Sequence, residues 1–274
     1  MDLKVTPLTG VIGAELSGVD LRTTLDSSTV DGIRAALDRH LVLFFRDQDI
    51  TPQQHLALGR RFGTISVAPF GPKHPDHGEI TVLDQITPRG EGADVWHTDN
   101  TFMLRPPLGS ILRAVRLPSV GGDTCFASMY AAYEALSPAM RSMLEPLRAT
   151  HDLSRMLRKA IANGQAKEDV ESMQERWPPV THPVIRTNPQ SGRKSLFING
   201  QWAVFIEGLT ERENAVLLPF LSDHVRSPEF QCRFHWEPNS IAFWDNRWVQ
   251  HYGVADYTER RIMQRVTIEG ERPV

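Results

Sequence analysis

The stretch VWHTDNTF, residues 95–102, sets His97 and Asp99 two positions apart among apolar and aromatic neighbours. If the segment runs as a strand, residues i and i+2 share a face, so imidazole and carboxylate point the same way. Two such groups cost stability in an apolar setting unless something binds them. A divalent metal is a partner both can take, and it needs a third ligand. Of the ten histidines, His251 in FWDNRWVQHYGVADY is the best placed, because it follows the apolar run IAFW in a segment rich in aromatic and turn residues. Two histidines and one carboxylate leave about three positions open on an octahedral ion, the ligand set of non-haem Fe(II) oxygenases. Zinc accepts the same donors. An isolated H-x-D is common by chance, and a lone histidine near a strand is usually structural, as we read His182 and His235. These residues alone stop at a metalloenzyme candidate.

A second pair sits further on. In RRIMQRVTI, strand alternation puts Arg261, Met263 and Arg265 on one face and Ile262, Gln264 and Val266 on the other. Guanidinium groups grip oxyanions bidentately. Alone, two such arginines read more simply as a solvated face with salt bridges. Beside a metal they suggest two bound anions, one cosubstrate and one substrate.

These groups need a scaffold, and its elements are marked locally. In ITPQQHLALGRRFG, Thr51 caps a helix, Pro52 fits the first turn, and Gln54 completes a capping box. SPAMRSMLEPL repeats the start with Ser137 and Pro138, and LTERENAVLLPFLSDHV offers Thr210 with Glu213 three residues on. LVLFF (41–45), SILRAV (110–115), SLFI (195–198), QCRFHW (231–236), IAFW (241–244) and IMQRVTI (262–268) read as short strands, several of them alternating. Strands dominate the middle and the last third. That favours an α+β protein with a mainly antiparallel sheet, a barrel or jelly roll. The polar segment from Arg155 to Glu175 reads as an exposed helix or a lid.

Composition bounds the setting. A chain of 274 residues with 41% hydrophobic content buries roughly three quarters of its unfolded surface without staples. Its formal charge of −3, from 30 basic and 33 acidic residues, offers no basic stripe for nucleic acid and no polybasic membrane patch. Cys125 and Cys232 are too few for a disulfide framework and read as reduced core residues of a cytoplasmic protein. No signal peptide and no membrane-spanning run are expected.

Taken together, LTGVIGAELSGVDL, LVLFFRDQ, WHTDNTF, LPSVGGDTCFASMYAAYEALS, HPVIRTNPQSGRKSLFIN, WDNRWVQHYGVADY and RRIMQRVTI resemble the taurine dioxygenase (TauD/TfdA) family of Fe(II)/2-oxoglutarate-dependent dioxygenases, over nearly the whole chain. The resemblance implies one domain, residues 1–274, with a double-stranded β-helix (jelly roll) core, flanking helices and a lid near 155–180. It implies His97, Asp99 and His251 as ligands of Fe(II). It assigns Thr124 and Arg261 to the distal carboxylate of 2-oxoglutarate, and Arg265 to the substrate's acidic group. It further implies O₂ as oxidant, hydroxylation of a small organic anion with release of succinate and CO₂, and a dimer or tetramer.

The sequence departs from the taurine enzymes at the substrate. Where those carry His, Tyr and Asn around the substrate amine, the matching positions here are Ala68, Gly71 and Ala93. None can pair a buried ammonium. Phe70, Phe102, Trp202, Phe205 and Trp248 are candidate apolar walls. An alkyl or aryl sulfonate, a sulfate ester or an aryloxyalkanoate is therefore favoured over taurine. The rival readings are a zinc-dependent hydrolase, which needs no second carboxylate site, and a non-catalytic cupin-like binding protein, which would typically have lost a ligand.

Overall fold

Alternation along the strands decides the architecture. In Val42–Phe45, Val42 and Phe44 enter one apolar cluster while Leu43 and Phe45 enter another. Ile241–Asp245 repeats the split, with Ala242 and Trp244 against Ile241 and Phe243. Both faces of these strands are buried, so their sheet must be a middle layer.

The computed structural model describes residues 3–86, 94–162, 164 and 167–274. Among them a nine-stranded sheet runs in the order Lys4–Pro7, Ala14–Ser17, Val42–Phe45, Ile241–Asp245, Gly109–Arg116, Arg261–Ile268, His77–Gln85, Lys73–His74, with Ile65–Ser66 also on Arg261–Ile268. Pairing is antiparallel except between Ala14–Ser17 and Val42–Phe45. A second sheet has Thr124–Ser128 between Gln231–Phe234 and Val249–Gly253. The cluster holding Phe44, Leu112, Phe126, Phe234, Trp244 and Met263 draws on both sheets, as the core of a jelly roll does. On the other face of the large sheet lie the helices Ser27–His40 and Pro52–Arg60, burying Ile33, Leu37 and Leu58 with Ile111 and Phe243. The expected α+β jelly roll with flanking helices is what forms.

The caps form as their residue types dictate. Thr51 accepts from the Gln54 amide while the Gln54 side chain accepts from the Thr51 amide. Thr210 and Glu213 do the same, and Ser137 caps Pro138–Leu144. The helix Ser27–His40, capped by Asp26, was not singled out from the sequence. A side sheet orders Arg148–His151 between Val180–Pro183 and Ala203–Ile206. The expected lid contains the helices Ser154–Ala162 and Val170–Arg176, with residues 163, 165 and 166 outside the described set. Among the described residues, no helix is long and apolar enough to cross a membrane.

Burial sets an acid limit on this scaffold. His55 lies wholly inside, its Nε2 3.0 Å from the Ile111 carbonyl, and burial pulls it down to about 4. Burial does the same to His182, whose Nε2 donates to the carbonyls of Thr101 and Met103. Each is neutral when folded and takes up a proton when unfolded below its ordinary pKa of 6.5. Stability is therefore complete above that value and falls as pH drops toward 4, by about 1.4 kcal/mol per unit per histidine. We expect Tm to be flat above pH 7 and to fall steeply between pH 6.5 and 4. His55→Leu should flatten that slope in a melting series; an unchanged slope would exclude His55 as its source.

Candidate active site

His97, Asp99 and His251 converge, with one donor atom from each lying within 4.8 Å of the others, all buried. The backbone brings the two histidines together. The His97 amide donates to the His251 carbonyl at 3.1 Å and the His251 amide to the His97 carbonyl at 2.9 Å, in an isolated bridge that sets the rings 4.3 Å apart. The His97 Nδ1 is 2.8 Å from the Val95 carbonyl, which only accepts, so Nε2 is left bare for a metal.

The strand expected for this segment does not form beyond that bridge. Asp99 and Asn100 enter a turn, with Asn100 at φ +51°, a conformation Asn tolerates. Asn246 replaces the missing ladder. Its Oδ1 accepts from the Asp99 amide at 2.9 Å, and its Nδ2 donates to the carbonyls of Asp99 and Pro107 at 3.1 Å. The side sheet holds the next residue: Thr101 meets His151 Nδ1 at 2.8 Å and accepts from Asn199 at 3.2 Å, while its carbonyl accepts from His182. His182 is thus structural, as expected, and braces the turn that carries Asp99. His235 is exposed and meets Asp123 at 2.8 Å.

Each Asp99 oxygen is partnered. Oδ1 accepts from the Arg265 guanidinium at 2.9 Å and lies 3.5 Å from His97 Nε2, while Oδ2 accepts from Ser110 at 3.2 Å. Burial alone would raise this carboxyl, but Arg265 above all, with His97 and His251, holds it well below the usual carboxylate range. Burial, reinforced by His97, pulls His251 down to about 3, and its ring packs against Phe126 and Trp244. Its Nδ1 has no partner among the described residues. One ionised carboxylate and two imidazoles, buried and converging, fit a divalent ion with open positions.

Arg261 and Arg265 share the inner face with Met263, as the alternation predicts. Arg261 is buried, its Nε is unpartnered among the described residues, and its guanidinium lies over Trp236 and beside Tyr257, 5.8 and 6.0 Å from the ring centres. Gly122, at φ +75°, passes close enough that a Cβ would sit 3.2 Å from the Arg261 Cδ and Nε. Thr124 is buried nearby and accepts from the Trp236 indole at 3.0 Å. Sequence reasoning passed over Trp236 and Asn246, because nothing local marks a residue whose partner is over a hundred positions away.

Beside the triad stands an aromatic wall. Phe102 lies 5.6 Å from Phe70, 4.8 Å from Trp202 and 6.0 Å from Trp177, ring centre to ring centre. The Trp202 indole donates to the Thr98 carbonyl at 3.0 Å, which ties the wall to the ligand turn. Leu157 and Met173 of the helices Ser154–Ala162 and Val170–Arg176 pack on it. Two expected wall residues lie elsewhere. Phe205 lines a surface groove with Glu211, Asn214 and Pro219, because Ala203 and Ile206 of its strand take the inward positions. Trp248 stacks on Tyr130 in the core, with Arg186 over its ring. On the neighbouring strands the Lys73 Nζ donates to the Ala68 carbonyl at 2.9 Å, and Lys73 and Arg265 both face Thr81 in register. Ala68 is buried, Gly71 has φ +90°, and Ala93 lies outside the described residues.

Asn246 gives a direct check on this arrangement. Asn246→Ala strips the Asp99 turn of its hydrogen bonds, and loss of a group that orients a metal ligand costs about 10- to 100-fold in metal affinity. We expect a drop of that size in Co(II) affinity, read by competition with a chromophoric chelator, with circular dichroism unchanged. Wild-type affinity would show that Asp99 needs no such support.

Comparison with known proteins identifies the family. The family model "Taurine catabolism dioxygenase TauD, TfdA family" matches residues 4–267. An alpha-ketoglutarate-dependent sulfate ester dioxygenase of Pseudomonas putida is 37% identical, covering 100% of this chain and 92% of its own length. An alpha-ketoglutarate-dependent 2,4-dichlorophenoxyacetate dioxygenase of Cupriavidus pinatubonensis is 33% identical, with 97% and 98% covered. The crystal structure of a taurine dioxygenase from Burkholderia xenovorans superposes with a TM-score of 0.84 at 37% identity, covering 99% of this chain and 91% of that one. The hydrolase and binding-protein readings find no support in these matches. Dioxygenases of this family use Fe(II), 2-oxoglutarate and O₂, and the chain, matched over almost its whole length, belongs to the TauD/TfdA family of 2-oxoglutarate-dependent dioxygenases.

Proposed function

We propose that His97, Asp99 and His251 hold Fe(II), that Thr124 and Arg261 receive the distal carboxylate of 2-oxoglutarate, and that Arg265 with Lys73 receives the acidic head of a larger, apolar organic anion. The observation carrying this reading is the buried His–Asp–His set, with two inward arginines on one neighbouring strand. Iron with 2-oxoglutarate and O₂ supplies the oxidising power for hydroxylation, with release of succinate and CO₂. The chain does the rest. Asn246 and the His97–His251 bridge orient the ligands. Arg261 neutralises one end of the cosubstrate. The wall of Phe70, Phe102 and Trp202, with the lid helices Ser154–Ala162 and Val170–Arg176 over it, excludes water and aligns the carbon to be oxidised.

Sulfate esters, alkyl or aryl sulfonates and aryloxyalkanoates suit this wall, and taurine does not. An ammonium beside Ala68 and Gly71 finds no acceptor side chain. A tyrosine at position 71 would also need a strained backbone, since φ there is +90°. The buried thiols Cys125 and Cys232 favour a reducing, cytoplasmic setting. Val216 and Phe220, exposed one turn apart on the helix Glu211–His224, favour an oligomer, a dimer or tetramer.

The test is a substrate panel read by succinate formation. We expect hexyl sulfate, hexanesulfonate and a phenoxypropionate to exceed taurine in kcat/KM, with about fourfold gained per methylene, the equivalent of about 0.8 kcal/mol. Turnover of taurine above all of these would overturn the substrate reading. His97→Ala, Asp99→Ala and His251→Ala should each abolish turnover with the fold retained, and near-wild-type activity in either histidine variant would remove iron from this site.

A further inference from the structure

We propose that Trp236 is a positioning residue for 2-oxoglutarate, acting by fixing the direction of the Thr124 hydroxyl proton. This rests on the assignment of Thr124 and Arg261 to the cosubstrate's distal carboxylate.

A threonine hydroxyl has one proton and two lone pairs, and which way it donates is set by its neighbours. An indole N–H can only donate. Its 3.0 Å bond to the Thr124 Oγ1 therefore occupies a lone pair and leaves the hydroxyl's own proton free. That proton has no acceptor among the described residues, and a carboxylate is the acceptor that makes the strongest bond with it. The same ring also faces the Arg261 guanidinium, 5.8 Å from its centre. One side chain thus touches both halves of the receptor, its edge at Thr124 and its face toward Arg261. Thr124, Trp236 and Arg261 are all buried, so little water is at hand to take over the indole's part. Without the N–H, Oγ1 regains an open lone pair. The hydroxyl is then free to rotate, and its proton is no longer held in the direction of the carboxylate.

The experiment replaces only the N–H. Trp236 is exchanged site-specifically for benzothienylalanine, which keeps the bicyclic ring and puts sulfur where the nitrogen was. Binding is followed by calorimetry on the full chain loaded with Co(II). The ligands are 2-oxoglutarate and 2-oxopentanoate, which has the same length but a methyl in place of the distal carboxylate. We expect 2-oxoglutarate to weaken about tenfold, as loss of one charge-assisted hydrogen bond implies, while 2-oxopentanoate is unmoved. KM for 2-oxoglutarate should rise with kcat held. Thr124→Val should weaken 2-oxoglutarate to the same degree, and combining the two changes should add nothing. A general disturbance of the site would weaken both ligands together, and that result, or unchanged 2-oxoglutarate binding, overturns the proposal. Arg261→Gln separates the levels. If it leaves 2-oxoglutarate binding intact, the cosubstrate assignment itself falls. If it weakens binding while the benzothienyl change does not, Trp236 alone is released from the role.

Discussion

A buried negative charge is what the rest of this structure must accommodate. The Asp99 carboxylate sits where water cannot solvate it, and an isolated carboxylate in such a place is costly by many kcal/mol. The fold answers with Arg265 on one oxygen, Ser110 on the other, and two imidazoles alongside. Arg265 stands on Arg261–Ile268 and Ser110 on the adjacent Gly109–Arg116, so the carboxylate is held by the middle of the large sheet. The irregular turn bearing Asp99 cannot use a strand ladder, and the amide side chain of Asn246 supplies one from the far end of the chain. Ligand geometry and fold stability thus share the same bonds.

How far the sequence speaks depends on the range of the interaction. Caps at Thr51, Ser137 and Thr210 are read three residues at a time, and they form as read. The common face of Arg261, Met263 and Arg265 follows from the period of a strand, and it too holds. His97 and Asp99 share a site for a different reason than alternation: Asp99 lies in a turn, and its direction comes from Asn246, 147 positions away. Asn246 and Trp236 resemble ordinary core residues until the fold gives them partners. Phe205 and Trp248 show the converse limit, since an aromatic near a motif is chosen by packing, and packing sent both elsewhere.

The aromatic wall beside the triad draws on several parts of the fold. Phe102 and Trp202 are locked by the ligand turn and by the indole bond to Thr98. Phe70 rides on a loop, and the helices Ser154–Ala162 and Val170–Arg176 contribute Leu157 and Met173 from outside the sheets. Relatives described as acting on sulfate esters and on 2,4-dichlorophenoxyacetate match this chain over nearly its whole length, and one scaffold can carry different substrate sites.

The bridge between His97 and His251 has a consequence for the order of events during synthesis. Each histidine's backbone pairs with the other's across more than half the chain, and Asn246 joins the same closure. A nascent chain that has emerged only as far as the helix Val170–Arg176 carries His97 and Asp99 on a turn that has neither the His251 bridge nor Asn246 to hold it. Contacts of such long sequence separation close slowly and late. The convergence of His97, Asp99 and His251 therefore comes into being only when the last strands take their places, in a molecule already folded around it.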